Sequence, residues 1–223
     1  MKITYIHHSC FLVETDRFYY LFDYEQGNLP ALNPAKPLLF LSSHGHFDHF
    51  NPDIIPELKD SGIGNILAIL SDDIDEPVEA ETLPVAPEQE YNLGHQHKLT
   101  TFRSTDLGVA FLIEDQGQLI YHAGDLNDWV WEEESDAYNA EMTAKYRAQI
   151  RLLAEKLDGR AIDVAFAVLD PRQGKDYDRG LCYLLETVSA KQVYPMHYWE
   201  KPGIIDTFLQ DHPEYQTQIQ KAE

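Results

Sequence analysis

Cysteine and positive charge are what this chain has least of. Its 223 residues include two cysteines, Cys10 and Cys182. Two thiols are too few for a disulfide framework and form no CxxC metal pair, so a reducing compartment is the simpler reading. Lysine and arginine number 17 against 38 aspartates and glutamates, a formal net charge of −21. An envelope this acidic repels polyphosphate backbones and anionic headgroups, so neither nucleic acid nor a membrane is expected as a partner. A small molecule is, and bound cations would reverse the sign locally; the oligomeric state is left open. Long apolar runs are missing as well. The opening Met1-Lys2-Ile3-Thr4-Tyr5-Ile6-His7-His8 has no secretory stretch, and no segment approaches transmembrane length, so a cytoplasmic protein is expected. Low-complexity segments and linkers are also lacking. With 43% hydrophobic and 12% aromatic residues, a chain of this length buries roughly 70–75% of its unfolded surface. One domain over residues 1–223 is expected.

The order of elements follows from periodicity. Short β-branched and aromatic runs predict strands at Lys2–Ile6, Cys10–Thr15 and Phe18–Asp23, with Asp16-Arg17 turning the second hairpin. Pro37–Ser43 is nearly all apolar, as in a strand covered on both faces. A helix capped by Asn51, with Pro52 in its first turn, ends at Ser61-Gly62, and Asn65–Ser71 is a further strand. Acid- and proline-rich Asp72–Glu90 reads as irregular connection with at most one short element. Strands resume at Lys98–Ser104, Gly108–Glu114 and Gln118–Ala123. Ser135–Leu157 is the longest helix, with a core stripe of Tyr138, Met142, Tyr146, Ile150, Leu153 and Leu157. Strands at Ile162–Leu169 and Gln192–Met196 flank a helix near Gly180–Ser189, and a last helix starts near Gly203. The hairpin from Phe11 to Asp23 is echoed by the one from Phe111 to Asp125. Hairpins often look alike; read instead as two related halves, each a sheet with helices on one outer face, the echo implies an α/β (α+β sandwich) architecture of four layers, αββα, with the sheets packed face to face.

The strongest chemical signal is Ser43-His44-Gly45-His46-Phe47-Asp48-His49, directly after a buried strand and before a capped helix. Four potential ligands in six residues suit first-row divalent ions, and Gly45 would let the backbone turn sharply between them. A polar loop without function is the competing reading; for a lone histidine it would win, and for this pattern it does not.

His-x-His-x-Asp-His after a hydrophobic strand resembles the hallmark of the metallo-β-lactamase superfamily. Asp23 at the end of the early hairpin, Tyr121-His122-Ala123-Gly124-Asp125, and Tyr194-Pro195-Met196-His197 resemble further superfamily segments, in the superfamily's order. The opening His8-Ser9-Cys10-Phe11-Leu12-Val13-Glu14 most resembles the ascorbate-6-phosphate-lactonase-like branch of metal-dependent hydrolases. The resemblance implies the superfamily's αββα fold and two divalent metal ions, zinc, manganese or iron. His44 and His46 would hold the first ion, Asp48, His49 and His197 the second, and Asp125 would bridge. A hydrolase needing no serine or cysteine nucleophile follows, because such a pair of ions activates water. Asp48 and His8 are the catalytic candidates, His8 as proton donor to the leaving group, with His8 as a packed loop residue the equal alternative.

The chain departs from the superfamily at one ligand. The strand Leu99–Ser104 is followed by Thr105-Asp106, with no histidine where the superfamily usually supplies a third to the first ion. Asp106 is the candidate substitute, and an oxygen ligand would favour manganese or iron over zinc. His95 and His97 read as decoration of an exposed turn. For substrate, Trp129 and Trp131 follow Asp125 and Trp199 follows His197, and all three are candidates for an aromatic wall, packing under a loop being the alternative. Arg172 and Lys175 are candidate grips for an anionic group, local pairing with Asp176 and Asp178 being the plainer reading. A small anionic ester, lactone or phosphodiester is the expected substrate class. Two other functions stay open: a diiron redox or oxygen-handling protein, and a metal-binding scaffold with little catalysis.

Overall fold

A computed structural model describes residues 1–94 and 96–221 of the protein. They divide into two compact units, residues 1–86 and 87–221. Among the described residues no helix is long and apolar enough to cross a membrane.

The first unit is a six-stranded sheet in the order β1-β2-β3-β4-β5-β6. Strands β1 (Lys2–His7), β2 (Cys10–Glu14) and β3 (Tyr19–Phe22) form an antiparallel meander. From β3 the sheet continues in parallel through β4 (Leu38–Ser42), β5 (Ile66–Ser71) and β6 (Glu81–Val85). Every residue of β3 and β4 is buried, which explains their uninterrupted apolar sequence. One face carries a core layer of Leu12, Leu21, Phe40, Ala68 and Leu70, closed by Ile54, Ile55 and Leu58 of helix α1 (Ile54–Asp60). Each large side chain fully buried there stabilises the unit by about 1.5–3 kcal/mol. Helix α1 starts two residues later than Asn51 and Pro52 suggest. Asn51 accepts from the Asp53 backbone N–H at 3.0 Å, a turn ahead of the helix instead of a cap. Its end is as expected, with Gly62 at φ +97°.

The second unit repeats the scheme in the order β12-β11-β10-β9-β8-β7. Strands β7 (Glu90–Gly94), β8 (His97–Arg103), β9 (Val109–Asp115) and β10 (Gln118–His122) are antiparallel neighbours. Strands β10, β11 (Ile162–Val168) and β12 (Ala190–Met196) run parallel. Helices α2 (Asp136–Leu157), α3 (Arg179–Thr187) and α4 (Gly203–Asp211) connect or follow them. Both sheets are therefore mixed, each an antiparallel meander that turns parallel, and the hairpin echo of the sequence reflects this.

The structure corrects several expectations. Asp72–Glu90 contains the one short element allowed for it, β6, and an unexpected strand, β7, begins at its end. Both are edge strands. Pro84 is tolerated in β6 because an edge position does not need its N–H, and charged, half-exposed β7 lacks an apolar signature. The stripe of α2 is buried only from Tyr146 onward, through Ile150, Leu153 and Leu157, while Tyr138 is 40% exposed. Ser135 caps that helix, accepting from the Tyr138 N–H at 3.2 Å. Residues Pro171–Asp176, read as loop, form 3₁₀ turns broken by Gly174.

Candidate metal centre

Parallel strands point their carboxyl ends the same way, so loops leaving those ends collect side chains from residues far apart in sequence. In the first unit, β1 leads to His8, β3 to Asp23 and β4 to the histidine motif. The pairing of Phe22 with Leu41 sets Asp23 beside the start of the motif. Asp23 is fully buried at φ +44° and accepts three hydrogen bonds. The donors are the Ser43 N–H at 2.7 Å, the Ser43 hydroxyl at 2.7 Å and His49 Nδ1 at 2.8 Å. The Ser43 hydroxyl, having donated to Asp23, accepts from His44 Nδ1 at 3.0 Å. These partners set the tautomers: His44 and His49 both carry the lone pair on Nε2, as a ligating imidazole must. His44 Nε2 lies 3.0 Å from His46 Nδ1. Two nitrogens bound to one ion at about 2.1 Å and at right angles would be about 3.0 Å apart. The donor set thus fits a divalent ion.

Gly45 does not play the part expected of it. Its φ lies outside the left-handed region, and an added Cβ would meet nothing nearer than Asp73 Oδ2 at 3.5 Å. The turn is instead held by the Gly45 N–H donating to Asp73 Oδ2 at 2.9 Å. His8, buried at φ +46°, has Nε2 3.6 Å from Asp48 Oδ2 and its ring edge-on to His49. His8, Asp48 and His49 offer ligand atoms within 4.8 Å of one another.

In the second unit, β8 leads to Asp106, β10 to Asp125, β11 to Asp170 and β12 to His197. Asp106 and Asp125 present carboxylate oxygens within 4.8 Å of each other. Their loops are tied by the Thr105 hydroxyl, which donates to the Asn127 carbonyl at 2.6 Å and accepts from the Asn127 N–H at 2.9 Å. His197 Nε2 lies 3.4 Å from Asp125 Oδ1, the separation of two ligands about 2.1 Å from one ion at a tetrahedral angle. His197 Nδ1 meets Asp170 Oδ2 at 3.0 Å. Asp170 is fully buried and also takes Arg172 through both carboxylate oxygens. Burial alone would raise its pKa; hydrogen bonds from His197 and Arg172 overcome this and hold it at about 2. His197 and Trp199 both adopt left-handed backbone, at φ +63° and +53°. His8 and Asp23 share this conformation at the strand ends of the first unit, while Glu88, Gln96, Gln116 and Asp158 adopt it in other turns.

The tryptophans gather at His197. Trp129 and Trp199 set their rings edge-on to it at 5.6 and 5.7 Å, and Trp131 stacks on Trp129 at 5.7 Å. Trp129 is buried, its Nε1 donating to the Asp125 carbonyl at 2.9 Å. Arg172 lies over Trp199 at 4.5 Å, paired with Asp170 and not with Asp176 or Asp178. Lys175 stands apart, 75% exposed and 3.9 Å from Glu132. His97 is buried at the start of β8, contrary to its reading as an exposed turn residue, and His95 lies outside the described residues. Sequence reasoning missed Asp170 altogether and saw Asp23 only as a motif match. The available signal was position: each is the first acid after a buried strand.

The family model of the beta-lactamase superfamily domain matches residues 2–140, more than half of the chain. The chain belongs to the beta-lactamase superfamily. No curated protein matches it in sequence. Among solved structures, the superfamily chain is similar to Igni18, a metallo hydrolase from the archaeon Ignicoccus hospitalis. Identity is 17%, with 99% of this chain and 94% of that one covered and a TM-score of 0.67. A protein from Parabacteroides distasonis aligns at 18% identity over 99% of this chain and 92% of its own, with a TM-score of 0.65. CmlA, a diiron β-hydroxylase from Streptomyces venezuelae, aligns at 13% identity over 99% of this chain and 52% of its own, TM-score 0.62. At these identities the likeness establishes the fold.

Proposed function

We propose that this superfamily member is a metal-dependent hydrolase of a small anionic ester, lactone or phosphodiester, on the pattern of the ascorbate-6-phosphate-lactonase-like branch. The observation that carries the reading is the pair of carboxylate-backed imidazoles, His49 on Asp23 and His197 on Asp170. A carboxylate behind a histidine fixes the ring, presents Nε2 and raises its basicity, a support characteristic of ligands to metal. The proposed ligands are those the motif implies: His44, His46, Asp48 and His49 in the first unit, and Asp106, Asp125 and His197 in the second. Two divalent ions would supply Lewis acidity and a nucleophilic water at neutral pH. The residues supply the rest. His8, whose Nε2 is 3.6 Å from Asp48 Oδ2, would pass a proton to the leaving group. Trp129, Trp131 and Trp199 would flank the substrate, and the exposed side of Arg172, kept in place by Asp170 and Trp199, would meet its negative charge. Lys175 is the weaker anion contact.

The fold of CmlA favours a second reading, a diiron oxygen-handling protein, to which a carboxylate at Asp106 would be suited. Elemental analysis of protein purified without added metal, with a panel of phosphodiester, lactone and ester substrates, separates the readings. Metal-dependent turnover of one panel class is expected. Iron as the only tightly held metal, with oxygen consumption and no hydrolysis, would favour the second. His49→Ala or Asp125→Ala should lose at least one metal per chain, and two metals retained by Asp125→Ala would overturn the bridging role.

A further inference from the structure

Away from these loops, the second unit brings together three further side chains able to bind a metal. Asp178 precedes α3, Cys182 lies one turn into it, and His212 follows the last turn of α4. Residues four apart share a helix face, so Asp178 and Cys182 project side by side. The Cys182 N–H donates to the Asp178 carbonyl at 2.8 Å, which continues the helical ladder across the pair. His212 faces both: its Nε2 is 2.7 Å from Asp178 Oδ2 and 3.6 Å from Cys182 Sγ. All three ligand atoms lie within 4.8 Å of one another.

We infer that Asp178, Cys182 and His212 form a binding site for a thiophilic divalent cation such as zinc, separate from the proposed hydrolytic centre. The distances suit it. A sulfur about 2.3 Å and a nitrogen about 2.05 Å from one tetrahedral ion stand about 3.6 Å apart, which is the observed Sγ–Nε2 separation. The oxygen–nitrogen pair needs about 3.4 Å at the same angle, so the present 2.7 Å hydrogen bond would open by about 0.7 Å as the ion replaces the shared proton. The His212 ring is already held. Phe208 packs on it at 4.8 Å, and Glu214 Oε1, 3.8 Å from Nδ1, is beyond hydrogen-bond distance but near enough to act as a backing carboxylate after a small shift.

Electrostatics work in the same direction. Burial, with Asp178, Glu186 and Glu214 nearby, pushes the Cys182 thiol up to about 12. Without a cation the sulfur stays protonated, and the same negative charges that oppose a thiolate favour a divalent ion. Binding would release one proton from Cys182 and a second from His212 when that ring is charged. The ion would clip the start of α3 to the end of α4. A hydrogen-bonded Asp–His pair beside an uninvolved thiol accounts for the 2.7 Å contact alone. Helix spacing brings Cys182 beside Asp178, and its Sγ lies 3.6 Å from His212 Nε2 and 3.9 Å from Nδ1, so the thiol would swing from beside the ring toward the Nε2 lone pair as the ion enters.

Cobalt(II) separates this site from the other, because the proposed hydrolytic ligands are all nitrogen and oxygen. The full chain is titrated with cobalt(II) alone and followed by absorption. A thiolate-to-cobalt charge-transfer band in the near ultraviolet is expected, saturating at one ion per chain, and Cys182→Ser should abolish it while leaving visible d–d bands from the remaining cobalt. His212→Ala should weaken the band's apparent affinity at least tenfold. Zinc should protect the Cys182 thiol from a disulfide reagent in the unaltered protein and not in His212→Ala. No thiolate band in cobalt-loaded protein, or a band that survives Cys182→Ser, would overturn the assignment. Loss of the band with hydrolysis intact leaves the hydrolase reading standing; loss of hydrolysis in His49→Ala with the band intact shows the converse.

Discussion

Under the proposed ligand set, Asp106 decides which metal the site prefers. It leaves β8 beside Asp125, where its superfamily ordinarily supplies an imidazole, and its loop is pinned to the Asp125 segment through Thr105. A neutral amide is a poor ligand of nearly the same shape. Asp106→Asn should therefore lower the affinity for one of two metals at least tenfold, and Asp106→His should restore occupancy while shifting preference from manganese toward zinc. Competitive metal titrations read by elemental analysis test this; equal occupancy in Asp106→Asn would remove the residue from the ligand set. Asp170 offers a pH test. Its carboxyl gives up a proton more readily in the folded chain, at about 2, than in the unfolded one, near 3.8. The resulting stabilisation of about 2 kcal/mol is complete above the unfolded value and disappears as pH falls through about 2. With chelator present throughout, the stability difference between the native protein and Asp170→Asn should be largest near neutrality and close toward pH ~2. A gap that persisted unchanged into acid would mean that Asp170 carries no such load.

At the scale of elements, α3 docks on the Asp125 loop through a residue with no side chain. A Cβ on Gly180 would stand 1.8 Å from Asn127 Oδ1 and 3.2 Å from the Asp128 nitrogen. Asn127 cannot swing away cheaply. Its Nδ2 donates to Gln173 Oε1 at 2.8 Å, and Gln173 in turn donates to the Asp128 carbonyl at 2.7 Å. Gly180→Ala should cost about 1–3 kcal/mol, measured by urea unfolding, and should reduce metal affinity because Asn127 sits two residues from Asp125. Elements also mark what could be read beforehand. The histidine motif was legible because its four polar side chains crowd into six residues directly after a strand buried on both faces. Strands β6 and β7 were not, since an edge position removes both the apolar pattern and the objection to Pro84. Nor was Asp170, an acid among Asp176, Asp178, Arg172 and Lys175, whose importance arises only when β11 and β12 pair and bring His197 to it.

For the whole molecule, the net charge of −21 argues against an anionic substrate held by surface attraction. Capture of the proposed anionic substrate would fall to local cations, bound metal ions and the 45%-exposed Arg172. Direction matters as much as charge. In each unit the loops with the proposed ligands leave the carboxyl ends of the strands, while the tight hairpin turns, around Asp16-Arg17 and Gln116-Gly117, lie at the amino ends of β3 and β10. Each unit thus has a working rim and an inert rim, and the two tolerate change differently. A short glycine–serine insertion after Arg17 or Gln116 lengthens a loop at a cost of only about 1 kcal/mol and should leave metal content unaltered. The same insertion between Gly124 and Asp125 should empty at least one metal position, as elemental analysis of the purified variants would show. An inert rim with these properties is a natural place to graft a tag, a second domain or a surface tether without disturbing the chemistry.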